Sequence, residues 1–347
     1  MIRFGITGSG YMGRTHAEAI KRLAPDARLV ALWGGSRAPE LAAAYGAACE
    51  SSMEALMRRS DIDAVVITTP HNLHLAEALA ALETGKHILV EKPMATTVPD
   101  CDKMLEAAAR RGLVVATAYN GRFRNNAIQA RKLVEANAIG RVHTMHLSVI
   151  EDLYTAFNTG GFGGSKPWFF EPVNVGYVID GLPHAVDLMR WLTGAEVKSA
   201  AGYSRTFTPG WQIEDTTVGI YEFTNGAICS VTSSGAAVGP YPGAFAQYRL
   251  LGTEGLLNID MYGDVHLSDR KQGWRLIASQ PKVGFDDAST AFQDVRMKCY
   301  VDQIQSFIDG IHGRPMVAGS GFDGRAGVAA CLALLESSKE GRVVQLS

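Results

Sequence analysis

The sequence predicts an α/β domain built on a doubly wound parallel sheet, followed by an α+β domain whose large, open sheet is mostly antiparallel. Two observations predict it. Over residues 1 to about 120, short β-branched runs alternate with alanine- and leucine-rich helical stretches, the texture of parallel βαβ units. Beyond 120 that alternation stops, and glycine- and aromatic-rich segments and turn-separated strand signals take over. The 347 residues suffice for two domains of ordinary size, and the boundary is placed to give 1–121 and 122–347.

The first domain's strands are read in "IRFGIT" (2–7), "RLVALW" (28–33), "AVVIT" (64–68), "HILV" (87–90) and "LVVATA" (113–118). Between the third and fourth, Asn72 stands as a capping residue before "LHLAEALAALETG". In that run Leu75, Leu79 and Leu82 fall at helical spacing ahead of a terminal Gly85. In the second domain a helix is expected in "NNAIQARKLVEANAIG", a loop over 155–172, and a helix over about 181–193. Strands follow in "TTVGIYEF", "GAICSVTSS", "YRLLG" and "LLNIDMYG", and helices over about 294–311 and 323–340 close the chain.

Composition narrows the function classes. With 33 Lys and Arg against 35 Asp and Glu, and no block of like charge, nothing in the chain is suited to track a phosphate backbone or an anionic membrane surface. Nucleic acid and membrane are not expected partners. No apolar run reaches spanning length, and "MIRFGITGSGYMG" reads as a strand entering a turn rather than as a leader. The five cysteines form no C-x-x-C pair, which suits a reducing, cytoplasmic compartment.

"GITGSGYMGRTHAEAI" carries Gly8, Gly10 and Gly13 in G-x-G-x-x-G spacing, between the first strand and a helix. Glycines there permit a tight turn and close approach of backbone to a pyrophosphate seated on the helix N-terminus, with Tyr11 and Met12 inside the same turn. The acid that would hold the ribose hydroxyls of NAD is missing, since no carboxylate lies between Asp26 and Glu40. Ser36 and Arg37 stand in its place and suit a 2'-phosphate, so NADP is the expected cofactor and NAD the alternative.

Ligands of such a sheet bind beyond the carboxyl ends of its strands. "VITTPHNLH" and "ILVEKP" both end there, which puts Thr69, Pro70, Asn72, His74, Glu91 and Lys92 at one crevice. In "VIDGLPHAVDLMRWLTG", Asp180 and His184 lie four apart at or just before a helix whose Leu188, Met189 and Leu192 point to a core. Read from the residues alone, Asp180 equally suits a helix N-cap and His184 a buried, satisfied histidine. His71, His143, His146 and His266 have no metal-ligand spacing, and no catalytic metal is expected.

Together, G-x-G-x-x-G, T-P-x-x-x-H (69–74), E-K-P (91–93), Arg122–Phe123 and D-x-x-x-H (180–184) occur in an order that resembles one family. It is that of glucose-fructose oxidoreductase, inositol dehydrogenase and rhizopine catabolism proteins (Gfo/Idh/MocA). The resemblance spans essentially the whole chain and implies a Rossmann domain followed by a substrate-binding and oligomerisation domain. It also implies hydride transfer between NAD(P) and a sugar, inositol or related polyol, in a homodimer or homotetramer. The E-K-P lysine, Lys92, would contact substrate and nicotinamide ribose, with the lysine–proline bond often cis. An ammonium beside the reacting hydroxyl would stabilise developing alkoxide charge, His184 would exchange the proton and Asp180 would assist.

Arg122, Tyr154, Trp168 and Tyr177 are candidate pocket neighbours. The sequence departs from the family pattern at "NVGYVIDGLPH", where three glycines usually precede the aspartate and another follows two residues after it. Only Gly176 remains and Leu182 replaces the last, so Asn174 and Tyr177 are expected to reshape the pocket. Two other readings stay open: a glycosidase that oxidises its sugar transiently to permit elimination, and a non-catalytic NADP(H)-sensing regulator.

Overall fold

A computed structural model describes residues 1–153, 167–238, 244–280 and 293–346. By contact the chain divides into two compact units, 1–120 with 291–325, and 121–290 with 326–347.

The first unit opens with β1 (Ile2–Thr7), α1 (Tyr11–Arg22), β2 (Ala27–Trp33), α2 (Ala38–Tyr45), β3 (Ala48–Cys49) and α3 (Met53–Arg58). It continues with β4 (Ala64–Ile67), α4 (His74–Glu83), β5 (His87–Val90), α5 (Val98–Ala109) and β6 (Val115–Thr117). All five expected strands are present. The order β6-β5-β4-β1-β2-β3 is parallel throughout, and the connection reverses direction between β4 and β1. That reversal is the topological switch point, where open α/β sheets bind ligands. β4 is buried at all four positions because helices cover both faces, which is why its sequence is uniformly apolar rather than alternating. Asn72 is not the expected cap: it falls in a 3-10 turn over His71–Leu73, and α4 starts at His74 without a side-chain cap.

The second unit contains α6 (Asn125–Glu135), β7 (Val142–Glu151), α7 (Tyr177–Gly181), α8 (Pro183–Thr193), β8 (Val197–Arg205), β9 (Thr216–Phe223) and β10 (Ile228–Ser234). Then come β11 (Ala244–Gly252), β12 (Gly255–Asp260), β13 (Asp264–Asp269) and β14 (Gly273–Ser279). The helix expected over about 181–193 is α8, and a short helix that was not expected, α7, precedes it; Pro183 has no N–H to continue the ladder from α7 and instead starts α8. The sheet runs β14-β13-β12-β11-β7-β10-β9-β8 and is antiparallel except between β7 and β10. β7, β8, β13 and β14 were not among the expected strands. Alternation of buried and exposed positions along β9 shows one face packed and the other open.

The chain then returns. The helix expected within the second domain, α9 (Asp294–Ile311), packs on α1 in the first unit, and β15 (Gly319–Ser320) adds antiparallel to β6. α10 (Gly321–Glu340) begins there and ends in the second unit, where β16 (Val344–Gln345) pairs with β8. No helix among the described residues is long and apolar enough to cross a membrane.

Candidate functional site

In the first unit the carboxyl ends of β1, β4 and β5 bring the expected residues to one edge. Gly8 leaves β1 at φ 90°, and a Cβ there would lie 2.7 Å from Thr68 Oγ1. At Gly13 a Cβ would sit 2.2 Å from the Gly8 carbonyl oxygen, so the first turn of α1 can close onto the strand only with glycine. Gly10 has open space around its missing Cβ. α1 begins with neither a side-chain cap nor an acid in its first turn, so its leading N–H groups remain available to an anion. The residues present therefore fit a dinucleotide pyrophosphate.

The loop after β2 approaches this turn closely, with Gly35 at φ 82° and its missing Cβ only 2.6 Å from Ser9 Oγ. Ser36 and Arg37 follow it and are exposed, and Arg37 makes no ion pair among the described residues. At the other strand ends, His74 is fully buried between two carbonyl oxygens, with Nε2 2.9 Å from Thr69 O and Nδ1 2.9 Å from Pro93 O. Burial and neighbouring His71 pull its pKa down to about 4, and the neutral imidazole, with a single N–H, donates to one of these carbonyls while packing between the T-P and E-K-P turns. The Lys92–Pro93 bond is cis.

Glu91, 7 % exposed, accepts from the backbone N–H of Lys92 at 3.3 Å and meets His16 Nε2 at 2.8 Å. This anchors the turn to α1, and Glu91 also holds the backbone of Lys92. The ring of His16 in turn meets Tyr300 edge-on at 6.0 Å, and the Arg296 guanidinium lies 4.8 Å from the Tyr11 ring and 5.1 Å from that of Tyr300. Sequence reasoning missed His16, Tyr300 and Arg296, the last two because they sit nearly three hundred residues from the motif they support.

In the second unit, Arg122 is buried and donates to Asp187 through Nε at 2.8 Å and Nη2 at 2.5 Å. A bidentate buried pair engages this side chain, a candidate for substrate contact. Trp168 and Tyr177 pack with Leu153, Phe169 and Ile213 in an apolar cluster, Tyr177 fully buried. Tyr154 lies outside the described residues. Asp180 lies in α7, next to its last residue, and His184 in the first turn of α8, both half-buried. α7 itself is held by Glu214, whose Oε1 accepts from Val178 N–H at 2.6 Å, and burial pushes this carboxyl up to about 8. No group of three or more His, Cys, Asp or Glu among the described residues could hold a metal ion.

Residues 2–119 match the model of an oxidoreductase family with an NAD-binding Rossmann fold, and residues 127–258 match the GFO/IDH/MocA C-terminal domain. The chain belongs to the Gfo/Idh/MocA family. Among its relatives is inositol 2-dehydrogenase 3 of Saccharopolyspora erythraea, 26% identical over all of this chain and 96% of the relative. Levoglucosan dehydrogenase of Pseudarthrobacter phenanthrenivorans is 26% identical over 73% of this chain and 72% of its own. A solved levoglucosan dehydrogenase in complex with NADH and levoglucosan superposes with TM-score 0.85 at 25% identity, covering 99% of both chains. GenD2 from gentamicin A biosynthesis, in complex with NAD, gives 0.83 at 25%, covering 100% of this chain and 96% of that one.

Family membership makes this chain an oxidoreductase that binds a nicotinamide dinucleotide, and it gives the departure from the glycine pattern a physical form. Val175, where the family usually has glycine, sits at φ 76° and ψ −62°, the centre of a three-residue turn closed by Gly176 N–H to Asn174 O at 3.1 Å. That conformation is strained for a β-branched residue and costs on the order of 1–3 kcal/mol. Leu182, in the other substituted position, is right-handed at φ −77° and fully buried, so nothing there requires glycine.

Proposed function

We propose that this Gfo/Idh/MocA family member is an NADP(H)-preferring dehydrogenase or reductase of a sugar, inositol or related polyol. The observation that carries the reading is the convergence of the Gly8–Gly13 turn, Thr69–Pro70 and Glu91–Lys92 on one sheet edge at the switch point. The dinucleotide supplies the carbon that accepts or returns hydride. Gly8, Gly10, Tyr11, Met12 and Gly13 cradle its pyrophosphate, and Thr69, Pro70, Asn72 and Glu91 form the facing edge, braced by His74. Lys92 polarises the reacting oxygen and stabilises its developing negative charge. His184 exchanges the hydroxyl proton and Asp180 orients it.

The NADP preference rests on Ser36 and Arg37, exposed where an acid would repel a 2'-phosphate. Because two structural neighbours carry NAD or NADH, the preference is tested rather than inherited. The proposed protein is cytoplasmic and a homodimer or homotetramer. Supporting self-association, Tyr203, Val218, Ile220 and Ile228 are exposed and, by strand register, share one face of the second sheet. Light scattering of the purified protein reads the assembly directly.

The testing experiment follows reduced-nicotinamide absorbance with aldoses, inositols and keto-sugars, using NADP and NAD in parallel. Net turnover, faster with NADP, is expected. Glycoside cleavage without net reduction would replace this reading with the transient-oxidation glycosidase, and dinucleotide binding without any chemistry would replace it with a sensor.

A further inference from the structure

Glu77 lies on the inward face of α4 and is 2 % exposed, in a helix whose other buried residues are His74, Ala78, Ala81 and Leu82. Its Oε2 accepts from Thr7 Oγ1 at 2.5 Å and from Thr69 Oγ1 at 2.9 Å. Thr7 is the last residue of β1 and directly precedes the Gly8 turn, and Thr69 closes the segment after β4. One carboxyl oxygen therefore bridges the two strands that flank the switch point, from beneath the edge where a dinucleotide phosphate would lie. His74, one turn earlier on the same helix, packs between the Thr69 and Pro93 carbonyls and so next to the E-K-P turn.

Neither hydroxyl supplies charge. With a proton on Oε1, Oε2 still accepts from both threonines, so titration leaves both hydrogen bonds in place and changes only the charge behind the turn. The charged groups on the elements packed against α4 lie elsewhere. On β1, Arg3 is at the amino end and pairs with Asp63 ahead of β4. β5 starts with His87, and Glu91 just past its end meets His16. α3 offers Glu54 and Arg58, while on α5 Lys103 pairs with Asp100, Asp102 pairs with Arg325, and Glu106 and the buried Cys101 complete the set; α4 itself ends at Glu83. His71 and His74 precede Glu77 on its own segment, and His74 stays neutral. What sets the proton affinity of Glu77 is burial, opposed by the two hydroxyls, and the balance pushes it up to about 7.

We propose, resting on the dinucleotide-site reading above, that Glu77 is a protonation-linked positioning residue: binding of the anionic pyrophosphate drives its carboxyl to the protonated state, so cofactor binding takes up a proton. A second negative charge beneath an anion is unfavourable in a dry site, and the proton removes it. Acting through Thr7 and Thr69, Glu77 keeps the turn in place in either state, while its charge tunes affinity. The sign follows. Binding is tightest below about pH 7, where the carboxyl is already neutral, and weakens as pH rises until the bound form also ionises.

Titration calorimetry of the full chain with NADH, repeated in buffers of different ionisation enthalpy between pH 6 and 9, reads the protons taken up. ADP-ribose is the second probe. Both lack the 2'-phosphate, which as a phosphate monoester titrates near 6 and would confuse the count. Expected are an uptake that peaks above pH 7 for both probes, an NADH affinity falling roughly tenfold from pH 6.5 to 8.5, and loss of both effects in Glu77→Gln. Glutamine keeps an oxygen for the two hydroxyls but cannot ionise. No uptake by the native enzyme, or equal uptake by Glu77→Gln, overturns the inference while leaving the cofactor site intact. Failure of NADH, ADP-ribose and NADPH alike to bind overturns the cofactor-site reading and this inference with it; if NADPH alone binds, the uptake is read as the difference between the native protein and Glu77→Gln, and no difference overturns the inference. Should Glu77→Gln not fold, Thr7→Val decides. Removing one donor to the carboxylate must move the uptake peak to higher pH, and an unmoved peak overturns the inference.

Discussion

The two units hold their candidate side chains by different means. In the first, backbone does the holding: glycines admit the close turn, carbonyls of Thr69 and Pro93 grip His74, and a backbone N–H of Lys92 meets Glu91. In the second, buried carboxyl groups do it: Asp187 secures Arg122, and Glu214 secures the start of α7. Two turns make the contrast concrete. The turn before α1 uses glycine wherever a Cβ has no room, whereas the turn before α7 carries valine at φ 76°. A turn shaped by an approaching ligand has no freedom to accept a side chain, while one shaped by a neighbouring carboxyl can absorb strain.

Five substitutions break or sharpen that contrast, taken from the largest expected effect. Asp187→Ala removes the carboxylate paired bidentately with buried Arg122, and thermal or urea denaturation is expected to show a loss of about 3–5 kcal/mol. A loss below 1 kcal/mol would mean that the pair is not what secures this unit. Lys92→Met is expected to lower kcat roughly 100- to 1000-fold with dinucleotide affinity near native, measured by steady-state kinetics alongside fluorescence titration. If turnover is unchanged, Lys92 is only a spacer in the turn. Gly13→Ala forces a Cβ against the Gly8 carbonyl, which should weaken dinucleotide binding by about 1–3 kcal/mol and shift the melting temperature downward.

Glu214→Gln tests charge in the second unit through pH. The native carboxyl is raised to about 8 from an unfolded value near 4.5, so its protonated form is the one that folding favours. Its contribution is fully present below about 4.5 and is lost as pH rises through about 8. The native protein should therefore lose melting temperature across that window, and the variant should lose less; parallel profiles would remove Glu214 from the account. The smallest effect is expected of Val175→Gly, which relieves the backbone and should raise stability by about 1 kcal/mol after the extra entropy of glycine is counted.

How much of this was legible in the sequence follows the same division. Gly8, Gly10 and Gly13 could be read because their demand is local and shows as residue type at fixed spacing. The sheet edge carrying Thr69 and Lys92 could be read because period and strand ends give it. Glu77 could not, since a glutamate in an alanine-rich helix looks the same whether it faces water or two threonines. Nor could the pairing of Arg122 with Asp187 or of Glu214 with α7, because nothing in spacing announces a partner 65 or 36 residues away. β8, with "VKSAAGYSR", was missed because small and polar residues dilute its alternation, and its strand character comes from pairing with β9 and β16.

The return of the chain to its first unit sets the terms on which the gene can be cut. A fragment stopping at codon 120 would encode the parallel sheet and the glycine turn, yet lack α9. Phe4 and Phe307, both fully buried with ring centroids 6.4 Å apart, would be separated, and the face of α1 that α9 covers would be bared to solvent. Such a product would be prone to aggregate during expression. Domain swaps between relatives would need to carry 291–325 along with 1–120, so recombination within this family is expected to succeed with three crossover points rather than one.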